Sequence, residues 1–318
     1  MRSIIHQVMT HPDLLEKPPV LVDVGASGGL LGQWKLLASY SIGVAFDADT
    51  RDFSVTDSEN KGWKKLYSLN RLVAANSSPE VDFYLTTSPH CSSSLKPDSD
   101  ALKPWAFSRL FDVKRIVQQP AVDLQSALTA IGIDYIDWYK TDTQGADMRI
   151  FDALPQKIME NIIIAEFEPG IIDAYIGEDK LHQLMAYMDA RPFWVSQMDI
   201  KGSQRIDQAD LGSLNYLQKR SIESFLKTAP GWCEISYINT FRNDDMTRRG
   251  FLLGWCIATI KAEHGFAMHL ATLGKSKFES ALFDELYDYS RGCLAKGYFR
   301  LAARVARKIA KSVFGTWK

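Results

Sequence analysis

Val20-Leu21-Val22-Asp23-Val24-Gly25-Ala26-Ser27-Gly28-Gly29-Leu30 is the stretch whose reading decides the fold. Apolar residues around one acid, Val20 to Val24, have the composition of a short buried strand. A tight run of Gly and Ser follows, and then Leu30, Leu31, Trp34 and Leu37 recur at helical spacing. A strand that breaks into a glycine turn and enters a helix is the nucleotide-binding corner of open α/β sheets. Glycines let the backbone approach a ligand, and a helix N-terminus offers unpaired N–H groups. A glycine-rich turn without a ligand is the plainer alternative.

The glycines fall at Gly25, Gly28, Gly29 and Gly32, a poor match to the G-x-G-x-x-G of dinucleotide sites. Asp23 argues the same way, because a carboxylate beneath that turn repels a pyrophosphate. S-adenosylmethionine has a sulfonium and an amino group and no phosphate, so it suits an acid at this place.

The pattern repeats downstream. Ser41 to Phe46 reads as a second strand ending in Asp47-Ala48-Asp49, and Asp47 lies 18 residues after Gly29. That is where a strand-end carboxylate meets ribose hydroxyls; capping the next turn is the alternative role. Arg71 to Ala75 reads as the third strand, Glu80 to Thr86 as an additional strand, and Ala121 to Ile131 as a helix. Tyr135 to Asp142 and Ile162 to Phe167 are strands that end in acids, Asp142 in one case and Glu166 and Glu168 in the other. Leu181 to Met188 is helical, Phe193 to Met198 a strand, and Trp232 to Thr240 the strand expected to close the sheet. Strands alternating with helices predict a doubly wound, mostly parallel α/β sheet with ligands outside the carboxyl ends of its strands.

The chain has 318 residues, 46% apolar and 24% charged, which suits a globular protein with a substantial core. Its net charge of −1 is unevenly spread. Arg291 to Lys318 holds eight Lys or Arg and no acid, leaving 29 basic residues against 38 acidic ones elsewhere. Cys91, Cys233, Cys256 and Cys293 lie far apart, without C-x-x-C or metal-ligand spacing. They read as free thiols in a reducing compartment. No secretory signal is seen at the amino terminus, and the longest apolar run, Phe251 to Ile260, is about half a membrane span. The expectation is a cytoplasmic protein without a metal. Lacking a basic stripe with interleaved aromatics in its body, it is not expected to bind nucleic acid.

Three segments resemble the FkbM family of S-adenosylmethionine-dependent methyltransferases: VDVGASGG (22–29), AFDAD (45–49) and IDWYKTDTQGAD (136–147), the last followed by IIIAEFE (162–168). Lys140, Asp142, Gln144, Gly145 and Ala146 match the family's third motif, with Asp147 in place of its usual Glu, and CSSSL (91–95) also looks like a family feature. The resemblance covers about residues 15 to 200. It implies a Rossmann-like class I methyltransferase fold and O-methylation of a hydroxyl, often on a glycan or glycosylated product. Asp23 and the turn Gly25, Ala26, Ser27, Gly28 and Gly29 would then hold the methionine part, Asp47 with Ala48 the ribose, and Asp142 would sit at the methyl-transfer face.

Such a transfer needs a positioned hydroxyl and a base for its proton. The candidate catalytic residues are Asp142, Glu166 and His90; alternatively, Asp142 only orders a helix or contacts cofactor, and His90 is only solvated. Loops around 86–118 and 199–231 are expected to set acceptor specificity. From another class comes the alternative of a non-catalytic nucleotide- or glycan-binding module, with a nicotinamide-dependent oxidoreductase as a more distant reading.

The expected division is a methyltransferase domain over 1–242 and a helical extension over 243–318. Phe278 to Tyr289 reads as an amphipathic helix. A final helix places Tyr298, Leu301, Ala302, Val305, Ile309 and Val313 on one face, with Arg300, Arg304, Arg307, Lys308 and Lys311 largely opposite. It can dock on the body or touch an anionic membrane, at about 1 kcal/mol per nearby basic residue.

Overall fold

The computed structural model describes residues 1–27, 29–30, 32–225 and 227–295. Gly28, Leu31 and the expected basic helix from Tyr298 onward lie outside the described residues. The chain divides into two compact units, one over Pro18–Arg242 and the other joining Met1–Lys17 to the segment from Asn243.

Eleven strands are described in the first unit. They are β1 (Val20–Val24), β2 (Ile42–Phe46), β3 (Ser58–Glu59), β4 (Lys65–Leu69), β5 (Leu72–Ala74), β6 (Ser78–Thr86), β7 (Val113–Asp123), β8 (Trp138–Thr141), β9 (Ile164–Phe167), β10 (Phe193–Ser203) and β11 (Ala229–Asn239). Eight form one mixed sheet in the order β10-β11-β9-β8-β1-β2-β4-β3. The run β9-β8-β1-β2-β4 is parallel throughout. A second sheet has the order β5-β7-β6.

β1 is buried along its whole length because both its faces are covered. Val20, Val22 and Val24 join Val44 and Phe46 of β2 and Leu124, Leu128, Ile150 and Phe151 of flanking helices in one core. On the other face, Trp34 meets Trp138 edge-on at 5.9 Å and Trp63 at 6.1 Å. Alternation along a strand explains why Asp23 belongs to this second face.

Four expectations are corrected here. The helix expected over Leu30 to Ser39 is two short 3-10 turns, Gly32–Leu36 and Ala38–Tyr40. Trp34 and Leu37 are both fully buried, and an i, i+3 pair lies on one side of a 3-10 turn. The third parallel strand is β4, whereas the stretch around Leu72–Ala74 pairs with β7 in the second sheet. The helix expected from Ala121 begins at Leu124, because Ala121 to Asp123 end β7 and Asp123 caps the helix through the Ser126 N–H. Finally, β11 does not close the sheet but runs inside it, antiparallel to both β9 and β10.

The second unit is helical. Arg248–Ile260 is apolar nearly all round, with Phe251 to Thr259 all buried, and Trp255 Nε1 donates to Ser290 Oγ at 2.9 Å. The next helix, His264–Phe278, ends at a left-handed Glu279, so the amphipathic pattern from Phe278 is broken and helix resumes over 282–295. Residues 1–17, expected with the sheet, fold here instead. Arg248 grips the Asp13 carboxylate with two hydrogen bonds, at 2.7 and 2.8 Å, which ties the amino-terminal helices to Arg248–Ile260. Among the described residues, no helix is long and apolar enough to cross a membrane.

Candidate active site

Strand order reverses between β1 and its neighbours, since β2 continues on one side and β8 on the other. A crevice opens at such a switch point, at the carboxyl ends of the strands. Gly25, at φ +88°, turns the chain there. Its N–H and that of Ala26 both donate to Phe46 O at 2.9 Å, while Asp142 N donates to Val24 O at 2.8 Å. Three strand ends are thereby stitched together around the turn.

Gly25, Ser27, Asp47, Ala48, Asp142 and His90 line one cleft. Ala26 is buried under the turn, and Gly29 closes it by donating to Ala26 O at 3.2 Å. Asp23 does not line this cleft. It is fully buried, its Oδ1 accepting from Lys140 Nζ at 2.8 Å and its Oδ2 without a hydrogen-bond partner among the described residues. Burial raises the Asp23 carboxyl while Lys140 opposes that rise. Lys140 therefore balances the Asp23 charge, and Asp23 repels a phosphate less than an unpaired carboxylate would.

Glu166 lies one strand further along the same cross-sheet row, Asp23–Lys140–Glu166–Ser236. Trp138 Nε1 donates to its Oε2 at 2.6 Å and Ser236 Oγ to its Oε1 at 2.9 Å. Glu166 lines neither the cleft nor the neighbouring chamber, so its expected catalytic place gives way to a structural one.

The cleft itself is acidic. Burial pushes Asp47 up to about 6, with Asp49, Asp142 and Asp23 adding to the rise. Burial likewise pushes Asp142 up to about 6 against the pull of Lys140. Asp49 is satisfied by Arg51, whose guanidinium also reaches Thr86 O and Ser92 Oγ at 2.7 and 2.8 Å. This single arginine pins the CSSSL loop to the end of β2.

The IDWYKTDTQGAD segment is held by a buried acid. Asp147 accepts from Thr141 Oγ1 at 2.9 Å, Thr143 N at 2.8 Å, Thr143 Oγ1 at 2.6 Å and Glu168 N at 3.2 Å. Gln144, at φ +59°, turns back so that its Nε2 donates to Asp142 Oδ1 at 2.6 Å. The Tyr175 hydroxyl lies 2.9 Å from both Gln144 Oε1 and Cys91 O, and Ser93 Oγ donates to Gln144 O at 2.8 Å. His90 is exposed, its Nε2 3.4 Å from Asp52 Oδ2.

Beyond this segment lies a larger chamber of about 470 Å³, within the usual range for small-molecule sites. His90, Asp142 and Gln144 line both spaces. Glu168, Phe107, Phe111, Tyr175 and Trp232 also line the chamber with Gly202, Ser203 and Gly231, so the 86–118 and 199–231 segments both reach it. Burial, with Asp142 and Asp147 nearby, pushes Glu168 up to about 9. Cys91 lines the chamber too, but burial pushes its thiol up to about 12, far from a thiolate nucleophile. In the sequence Glu168 is marked only by its place at a strand end, one residue past Phe167.

No group of His, Cys, Asp and Glu among the described residues could hold a metal ion. No protein-family model, curated protein or solved structure matches the chain.

Proposed function

We propose that this chain is an S-adenosylmethionine-dependent O-methyltransferase of Rossmann-like, class I methyltransferase fold, akin to the FkbM family, acting on a hydroxyl of a glycan or glycosylated metabolite. One observation carries the reading: a narrow acidic cleft at the strand switch point and a roomy chamber share the wall formed by His90, Asp142 and Gln144. A donor in one and an acceptor in the other would meet at that wall.

The residues fit the donor. Ser27 Oγ, on the glycine turn and in the lining of the cleft, is buried without a hydrogen-bond partner among the described residues. Buried polar atoms are rarely left so without a reason. Asp47 at the end of β2 is placed to accept from a ribose diol, and its carboxylate favours a cationic ligand over a phosphate. S-adenosylmethionine, when bound, supplies an electrophilic methyl group.

The chain's own work is to orient the hydroxyl, exclude water and take up its proton. Asp142 is the group we assign to the proton, with Gln144 fixing its orientation through Oδ1. His90 stands on the same wall, beside Asp52. All four cysteines are free, which supports a cytoplasmic setting.

Calorimetric titration of S-adenosylmethionine into the wild type and Asp47→Ala tests the donor. Transfer of labelled methyl to free and glycosylated hydroxyl compounds tests the reaction. Binding that Asp47→Ala weakens, with turnover on a hydroxyl, is the expected result. Binding without turnover favours a non-catalytic module, and no binding overturns the reading.

A further inference from the structure

We propose that the chamber seats an acceptor whose hydroxyl is accompanied by a positively charged amine. That its occupant accepts a methyl group rests on the methyltransferase reading, whereas the charge preference rests on the chamber alone. Phe107, Phe111, Tyr175 and Trp232 form a continuous aromatic lining, with ring centres 5.3 Å apart for Phe107 and Phe111, 5.6 Å for Phe111 and Tyr175, and 6.1 Å for Phe107 and Trp232. Ring faces are the negative end of the aromatic quadrupole and attract cations.

Three carboxyl groups line the same space. Glu178 is already matched, by Lys180 Nζ and the Ala174 N–H. Asp142 and Glu168 are not matched in that way. The nearby cation, Lys140, is hydrogen-bonded to Asp23, and no Lys or Arg is among the described residues lining the chamber. An acceptor bearing carboxylate, sulfate or phosphate would add like charge, and a neutral one would leave in place the unfavourable setting that keeps Glu168 protonated beside Asp142. A fixed positive charge relieves it.

This arrangement has a proton signature. Glu168 faces Asp142, Asp147 and Glu234, with Lys140 opposing them, and it keeps its proton at neutral pH. Seating a cation beside it favours the carboxylate, so binding releases a proton and tightens as pH rises from 7 to 9.

Choline and 3,3-dimethylbutan-1-ol are a matched pair of probes, alike in shape and hydroxyl but differing in a charge that does not titrate. Saturation-transfer NMR titrations on the full chain, with and without S-adenosylhomocysteine, measure both. Choline is expected to bind at least about tenfold tighter than the alcohol, as aromatic-lined sites do for quaternary ammonium groups. Its affinity should rise between pH 7 and 9, and the alcohol's should not. Glu168→Gln should flatten that pH dependence, and Trp232→Leu should weaken choline while keeping it. Equal affinities, or no choline binding, overturn the inference. If S-adenosylmethionine binds but the two probes are equal, only this inference fails; if choline is preferred but S-adenosylmethionine does not bind, only the methyltransferase reading fails.

Discussion

Gly25 and Asp142 approach so closely that a Cβ on Gly25 would stand 2.0 Å from the Asp142 carbonyl oxygen. The turn after β1 and the end of β8 are therefore one packed unit, and the cleft depends on their contact. Gly25→Ala adds left-handed strain, at φ +88°, to a backbone clash. The loss expected is on the order of 3 kcal/mol or more, from strain and overpacking together. Chemical denaturation measures it; a variant as stable as the wild type would mean that the two loops do not share this contact.

What the sequence made legible follows from burial. β1, β8 and β9 are covered on both faces, so their apolar runs stand out, and their ends mark Asp142 after β8 and Glu168 after β9. β4 has only the two-residue β3 beyond it, and Lys65, Tyr67, Ser68 and Leu69 are only half-buried, so KLYSL gave no strand signal. Asp23 and Glu166 looked like site acids because register is invisible in a linear chain. Only the pairing of β1, β8 and β9 brings Lys140 between them. The aromatic lining of the chamber was hidden for the same reason, with Phe107 on a loop and Trp232 on β11, far apart in sequence, meeting at 6.1 Å.

Asp47 carries a cost of burial. Its carboxyl rises from 3.8 to about 6 in the folded chain, which therefore binds the proton more tightly than the unfolded chain does. The penalty is absent below 3.8, grows through the interval and is complete above about 6. Asp47→Asn should stabilise the chain by about 1–3 kcal/mol at pH 7.5 and by little at pH 4, since a tenfold change in proton affinity is worth about 1.4 kcal/mol. The amide oxygen can still accept from Asp49 N. The same variant should weaken S-adenosylmethionine by about tenfold. Thermal melts across this pH range, with titrations alongside, check both; a stability gain that does not depend on pH would contradict the assigned cause.

Glu166 is expected to matter for folding and not for chemistry. Glu166→Ala removes the acceptor for the Trp138 indole N–H, and Trp138 is fully buried. An orphaned donor of that kind costs about 1–3 kcal/mol. Denaturation should reveal the loss, while turnover of the remaining folded protein stays within about threefold, far short of the ~10²–10⁴ that removing a general base costs. A loss of turnover on that larger scale would return Glu166 to the reaction.

Asp142 carries the opposite expectation. With its carboxyl pushed up to about 6, the deprotonated form that can accept a proton is the minor one below that pH and the major one above. Methyl transfer should therefore climb with pH up to about 6 and level off beyond. Asp142→Asn keeps an oxygen for the Gln144 side-chain amide, so the loop should hold its shape. Turnover should fall by about 10²–10⁴-fold, with affinity for S-adenosylmethionine changed little. The residual rate should also lose the acidic limb of the profile. A variant that kept that limb would place the base elsewhere on the shared wall, and His90, beside Asp52, is the group there to substitute next.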